Sequence, residues 1–282
     1  MIEEKKVHKH GFVRLLEVMG DDEEVVNAAR ISYGKGTKKF SETRNLIRYL
    51  MRHKHTSPFE MCEVKFHLKL PIFIMRQLVR HRTANISEYS GRYSIMSDEF
   101  YLPAEADLNV QSDTNNQGRG ELLDENNKML VLGRMVAIND QAKECYRQIV
   151  DPTPLDGFYE GFKGIARELA RIVLPVSNYT ECIWKIDLNN FFHFAKLRMD
   201  AHAQKEIRDY ADAMYEMIKP KFPICCEAFE DYIMNSRTFS AKEMEIIKDN
   251  LDGSWTMDKY GLSERESKEF LEKLRSTDEV TN

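Results

Sequence analysis

The sequence predicts an α+β fold: a mixed, mostly antiparallel sheet surrounded by helices, in a single domain with a helical C-terminal extension. Three observations lead there. Residues 62–70, CEVKFHLKL, alternate apolar and polar without a break, as a strand does when one face is packed and the other wet. Further strand patterns at 11–19 and 180–188 stand among segments with helix caps and apolar stripes. No GxGxxG follows a strand, so a dinucleotide-binding parallel fold is not indicated.

The chain has 282 residues, 42% hydrophobic and 31% charged, which describes a globular protein with a real core. A formal net charge of −5 gives no support for binding duplex nucleic acid, although a local basic pocket is compatible with it. Five cysteines (Cys62, Cys145, Cys182, Cys225 and Cys226) form no CxxC, which suggests reduced thiols in a cytoplasmic protein. The opening MIEEKKVHKH lacks the apolar core of a signal peptide, and no apolar run approaches transmembrane length; neither membrane nor nucleic acid is an expected partner.

Taken in order, Gly11–Met19 reads as a strand, and Asp21 and Asp22 as the cap of a helix ending near Ile31. Ser41 caps a second helix through about His53, with Leu46, Ile47, Leu50 and Met51 as its apolar stripe. Ser57-Pro58 reads as a cap followed by proline at the first helical position. Pro71 opens a buried helix, PIFIMRQLV, whose far end delivers Gln77, Arg80, His81 and Arg82; Gln77 and Arg80 share a face. The polar stretch QSDTNNQGRG, residues 111–120, reads as a mobile surface loop within an insertion spanning about 107–121. A helix over about Leu122–Ile149 is broken by DPTP, and another runs from about Phe158 to Leu174. After the strand TECIWKIDL, Asp187 caps a helix written LNNFFHFAKLRMDAHAQKEI. A further helix ends at Lys219-Pro220. The capping boxes Ser240–Glu243 and Ser263–Glu266 predict two short helices in a C-terminal extension, 239–282, beyond a catalytic domain of 1–238.

The chemistry concentrates in Arg80–Ser94, RHRTANISEYSGRYS. Three arginines and a histidine stand within thirteen residues, interleaved with Asn85, Ser87, Glu88 and Ser90. Guanidinium forks match phosphate oxygens two at a time, and the Ser, Asn and Gly suit a turn whose backbone also donates. Such a cluster is equally the basic cap of a helix. Two features favour a site: a rigid apolar helix precedes the cluster, and Glu88 sits among the arginines as if fixing one. His53 and His55, two apart beside Glu60, make a poor metal set, because ligand pairs on a helix want a spacing of three or four. His193, set among Phe191, Phe192 and Phe194, reads by itself as a packed structural histidine.

RHR followed seven residues later by SGRYS resembles the signature of the flavin-dependent thymidylate synthases. The resemblance runs from about Arg30 to about Glu206, through AARISYG, HKHTSPFE, RELARIVLP and LRMDAHAQKEI. In HKHTSPFE, His55, Ser57 and Glu60 match the family, whereas Met61 replaces its final histidine. The resemblance implies reductive methylation of dUMP to dTMP, with FAD as bound redox carrier and with NADPH and methylenetetrahydrofolate as co-substrates. It also implies a homotetramer with sites shared between subunits. It places Gln77, Arg80, Glu88, Ser90, Gly91, Arg92, Arg171 and Arg198 at dUMP. Ser32, His55, Ser57, Arg80, His81, Arg82, Glu88, Asp187, Asn189 and His193 fall on the FAD side, and Arg198 matches the residue that activates the uracil ring. No cysteine nucleophile is implied. Two other classes remain compatible with the residues: a different nucleotide-binding flavoenzyme, and a single-stranded RNA-binding module that stacks bases on Tyr89 and Tyr93.

Overall fold

A computed structural model describes residues 3–31, 42–113 and 118–240, together with 244 and 247. Tertiary contacts divide the chain into two units, Met1–Met234 and Asn235–Asn282. The first unit begins with β1 (Glu3–Val7), β2 (Gly11–Met19), α1 (Asp22–Ile31), α2 (Thr43–Arg52), α3 (Ser57–Glu60) and β3 (Glu63–Pro71). Then come α4 (Ile72–Leu78), β4 (Asn85–Glu88), β5 (Asn109–Gln111), β6 (Arg119–Leu122), α5 (Glu125–Val150) and α6 (Arg167–Ala170). It closes with β7 (Tyr179–Asp187), α7 (Leu188–Arg198), α8 (Lys205–Ile218) and α9 (Pro223–Phe229).

One sheet runs in the order β1-β2-β3-β7-β4, with every pair antiparallel. β3 is the central strand. Its inward residues Val64, Phe66, Leu68 and Leu70 are buried, and its outward residues pair across strands: Lys65 with Glu17, Glu63 with Lys185 at 2.7 Å, His67 with Glu181 at 2.8 Å. The alternation is thus a division between core and ion-paired surface. α7 covers the inner face. Phe191, Phe192, Phe194 and Ala195 are buried, with Phe194 edge-on to Trp184 at 5.1 Å and Phe192 stacked on Phe229 at 4.5 Å. α8 buries Ile207, Tyr210, Ala211, Met214 and Ile218, a helical period facing β1 and β2.

Several expectations hold at the level of single atoms. Asp21 caps α1, accepting from the Glu24 amide at 3.0 Å. Asp187 caps α7, accepting from the Asn190 amide at 2.9 Å. The cap expected at Ser41 lies outside the described residues; α2 starts at Thr43. At α3 the cap position belongs to Thr56, and Ser57 is already helical.

Other expectations are corrected. The segment read as one turn after Arg82 contains β4, whose four residues NISE are all exposed. It is a strand because β7 supplies partners for it, not because of any apolar pattern. β1 is equally hidden in the sequence, since EEKKV is four charges and one valine; its register with β2 defines it. The stretch at 111–120 forms part of a two-stranded ribbon, β5 with β6, and residues 114–117 lie outside the described set. The helix expected over Phe158–Leu174 reduces to α6 and one tight turn, Arg171–Val173. Gly161 and Gly164 there adopt φ of +85° and +86°, which a right-handed helix excludes. Gly164 also approaches the end of α5 so closely that a Cβ would sit 2.7 Å from the Val150 carbonyl oxygen. The helix expected from Leu188 to Ile207 stops at Arg198, and His202 does not continue it. Its amide and Nδ1 are both held by the Asp200 carboxylate at 2.8 Å. The tail helices fall almost wholly outside the described residues.

Candidate active site

The predicted residues gather into two clefts joined by α4. The first, about 380 Å³, is lined by Arg80, His81, Arg82, Asn190, His193 and Arg198. α7 buries Phe191, Phe192, Phe194 and Ala195, so its opposite side carries His193 and Leu197 outward. His193 is therefore exposed at the cleft, not packed among the phenylalanines, which overturns the structural reading of that residue. α4 ends at Leu78, and the His81 amide donates to the Leu78 carbonyl at 3.0 Å, closing the turn that aims Arg80–Arg82 at α7.

The central contact joins the two sequence motifs. Arg198 Nε donates to His81 Nε2 at 3.0 Å. A guanidinium has no acceptor, so Nε2 must be the unprotonated nitrogen and the ring carries its proton on Nδ1. Burial, the Arg198 charge and nearby His193 together push the His81 pKa down to about 4. His81 is thus neutral at physiological pH and holds Arg198 as an oriented cation. Phe194 edges onto the His81 ring at 5.0 Å, and His193 lies 6.2 Å from it.

The second cleft, about 320 Å³, is lined by Ile72, Glu88, Tyr89, Ser90, Gly91 and Arg171, among others. The Tyr89 amide donates to the Glu181 carbonyl at 2.8 Å, carrying the β4 ladder up to the turn. The Ser90 carbonyl then accepts from the Tyr93 and Ser94 amides, both at 3.1 Å, and Tyr89 Oη closes the turn on the Ile95 carbonyl at 2.7 Å. α6 clamps it from outside: Arg167 donates to the Tyr93 carbonyl at 2.8 Å, and Arg92 meets Glu168 at 3.1 Å. At Gly91 the backbone lies directly under two side chains: a Cβ there would sit 2.8 Å from Met96 Sδ and 3.1 Å from Arg171 Cδ, so both would have to shift. Among the described residues Glu88 fixes no arginine, as its sequence position suggested it would; its carboxylate accepts from Thr180 Oγ1 at 2.9 Å.

The remaining predicted residues are less uniform. His55 and Ser57 are exposed on and beside α3, which packs against α7, and the His55 ring lies 5.7 Å from Tyr49. Asp187 is engaged in capping, and Asn190 rather than Asn189 lines the first cleft. Sequence reasoning misses Asn190; its only signal is its place three residues after a capping aspartate. Gln77 donates to Gln204 Oε1 at 2.6 Å. Ser32 lies outside the described residues. Among the described residues no group of three His, Cys, Asp or Glu side chains could hold a metal ion.

The donor set fits an anionic nucleotide. Among the described residues no carboxylate pairs with Arg80, Arg82, Arg171 or Arg198, whereas Arg44, Arg48, Arg119 and Arg147 each have at least one, and Arg92 pairs with Glu168. Unneutralised guanidiniums lining a concave surface, beside a glycine that lets backbone approach, are what phosphate-bearing ligands require.

This architecture and site define a nucleotide-handling enzyme of the thymidylate synthase complementing class: the family model described as "Thymidylate synthase complementing protein" matches residues 14–224. The chain is 48% identical over 266 residues, 94% of its length and 85% of the relative's, to a flavin-dependent thymidylate synthase of Gluconobacter oxydans. It is 47% identical over 281 residues to one of Treponema denticola, covering 99% and 100% of the two chains. The structure of a UMP/dUMP methylase, PolB from Streptomyces cacaoi bound with 5-Br UMP, superposes with a TM-score of 0.69 at 32% identity, over 82% of this chain and 99% of that one. The chain belongs to the flavin-dependent thymidylate synthase family.

Proposed function

We propose that the chain, through its 1–238 domain, catalyses reductive methylation of dUMP to dTMP in dTTP biosynthesis, with methylenetetrahydrofolate as one-carbon donor, FAD as bound redox cofactor and NADPH as reductant. The observation that carries this reading is the 3.0 Å contact between Arg198 and His81, which brings the family's two most specific motifs into one cleft. The second cleft, with Glu88, Ser90, Gly91 and Arg171, together with Gln77, Arg80 and Arg92, would hold dUMP. His81, Arg82, Asp187, Asn189 and His193, with Arg80, Glu88, His55, Ser57 and Ser32, would hold FAD.

C5 of uracil becomes nucleophilic only if negative charge spreading onto N3 and its neighbouring carbonyl is tolerated. A fixed guanidinium supplies that electrostatically, since arginine stays protonated and cannot act as an acid. Neutral His81 holds the Arg198 side chain without cancelling its charge. Ser90 acts as a binder; its Oγ accepts from the Arg92 amide at 3.3 Å, and no histidine base contacts it among the described residues. FAD, when bound, supplies the hydride chemistry, and the protein supplies position and charge.

Two clefts separated within one chain, each carrying part of the donor set, support a homotetramer whose active sites are completed between subunits. Cysteines that are all free thiols support a cytoplasmic location. No described helix is long and apolar enough to cross a membrane. Tritium release from C5-labelled dUMP, assayed with and without FAD and NADPH, tests the reading. Release that depends on both FAD and NADPH is expected; release without FAD, or none, would refute it.

A further inference from the structure

Outside the two clefts, a polar cluster centres on Glu206, which is only 3% exposed. Arg119, from the β6 strand, places Nη2 at 2.7 and 2.9 Å from its two carboxylate oxygens. Tyr101 Oη donates to Oε1 at 2.9 Å, and Gln204 Nε2 donates to Oε2 at 2.9 Å. Burial raises the Glu206 pKa, and the Arg119 and Gln204 hydrogen bonds outweigh that effect and leave it below the usual carboxylate value. Glu206 is therefore an anion at neutral pH, and an anionic carboxylate only accepts.

That one-way end sets the direction of a chain of amides. Gln204 must turn its NH2 to Glu206, so its carbonyl oxygen faces away and accepts from Gln77 Nε2 at 2.6 Å. Gln77 must then present its NH2 to Gln204. This leaves its carbonyl oxygen and second N–H without a protein partner among the described residues. Gln77 lies in the last turn of α4, the helix whose first residue, Ile72, lines the second cleft and which leads directly into Arg80 of the first. An amide flips at little energetic cost when nothing specifies it, and a flipped Gln77 would exchange donor for acceptor toward a ligand.

We propose that Glu206, through Gln204, is a positioning residue for the pyrimidine nucleotide: it locks the orientation of the Gln77 amide, so that one acceptor and one donor are presented in fixed order. This rests on the reading that Gln77 faces dUMP. Arg119 in turn ties this lock to the β5–β6 ribbon. The relay explains why a carboxylate is buried in the first turn of α8, where an apolar residue would pack without the cost of desolvation.

The test uses FAD-loaded enzyme. Gln204→Met keeps the side-chain length, removes the relay and leaves Glu206 paired with Arg119 and Tyr101. It should raise the KM for dUMP by about five- to tenfold, the worth of one ordered hydrogen bond, with kcat changed less than about twofold. FAD occupancy should stay at the wild-type value, and the thermal midpoint should fall only by the loss of one hydrogen bond to Glu206. Glu206→Gln should do the same by making the relay direction ambiguous; if that variant misfolds, Gln204→Met alone decides the matter. In a Gln77→Ala background, Gln204→Met should have no further effect on KM, because both act through one amide. A wild-type KM for Gln204→Met, or effects that multiply in the double variant, would overturn the relay while leaving the site intact. Gln77→Ala binding dUMP normally while Arg92→Ala does not would also overturn it. Normal dUMP binding by both would overturn the site assignment as well.

Discussion

Replacing Arg198 with alanine should abolish most dTMP formation while leaving the flavin reducible by NADPH. The magnitude follows from the side chain's surroundings. Among the described residues Arg198 has no carboxylate partner, and its Nε is held by a neutral imidazole, so its positive charge remains available to a ligand. A unit charge about 4 Å from developing negative charge is worth ~4 kcal/mol at an effective dielectric of ~20. That corresponds to roughly a thousandfold in rate. Loss of a preorganised donor to a developing anion typically costs ~10²–10³, so the two estimates agree. Flavin reduction requires no uracil activation and should proceed in the variant. Stopped-flow bleaching of the flavin absorbance, run beside a dTMP assay, separates the two half-reactions. Near-normal dTMP production would refute the role. Loss of bound FAD together with dTMP would make Arg198 a structural residue and refute it equally.

Three further outcomes are expected. Arg92→Ala should weaken dUMP binding by about tenfold or more, since a charge-assisted contact is worth ~1.5–3 kcal/mol; unchanged affinity in isothermal titration would remove Arg92 from the phosphate site. His81 should make the apo protein acid-sensitive. The unfolded ring takes up its proton near pH 6.5 and the folded one near 4, so the unfolded state binds the extra proton across that window and stability falls as pH drops through it. His81→Asn should flatten this part of the Tm-versus-pH curve, and an unchanged slope would contradict the burial of a neutral ring. Finally, Arg92→Ala and Arg198→Ala proteins, each impaired in a different part of the site, should regain activity when mixed and reassembled at low dUMP if sites are shared. A fully active monomer in sedimentation would exclude the shared-site assembly.

How much of the fold and site is legible in the sequence differs by kind of information. The β3 alternation, the Asp21 and Asp187 caps and the breaking prolines are legible, because each depends on residues within a turn or two of one another. The motifs are legible too, since arginine spacing and a glycine-bearing turn are local chemistry. Elements whose existence depends on a distant partner are not. β1 and β4 carry no strand pattern of their own and are strands only because β2 and β7 pair with them. The helix expected over 158–174 fails because Gly161 and Gly164 take left-handed conformations that an apolar stripe does not reveal. By itself, then, the sequence determined the family, the central strand, the capped helices and the residue types of the site. Tertiary structure alone decided that His193 faces out, that His81 and Arg198 meet, that Glu88 serves Thr180, and that Glu206 reaches Gln77 through Gln204. The physical reason is range: periodicity and capping are written within one helical turn. The Glu88–Thr180, His81–Arg198 and Gln77–Gln204 contacts join residues 92, 117 and 127 positions apart, and only packing brings them together.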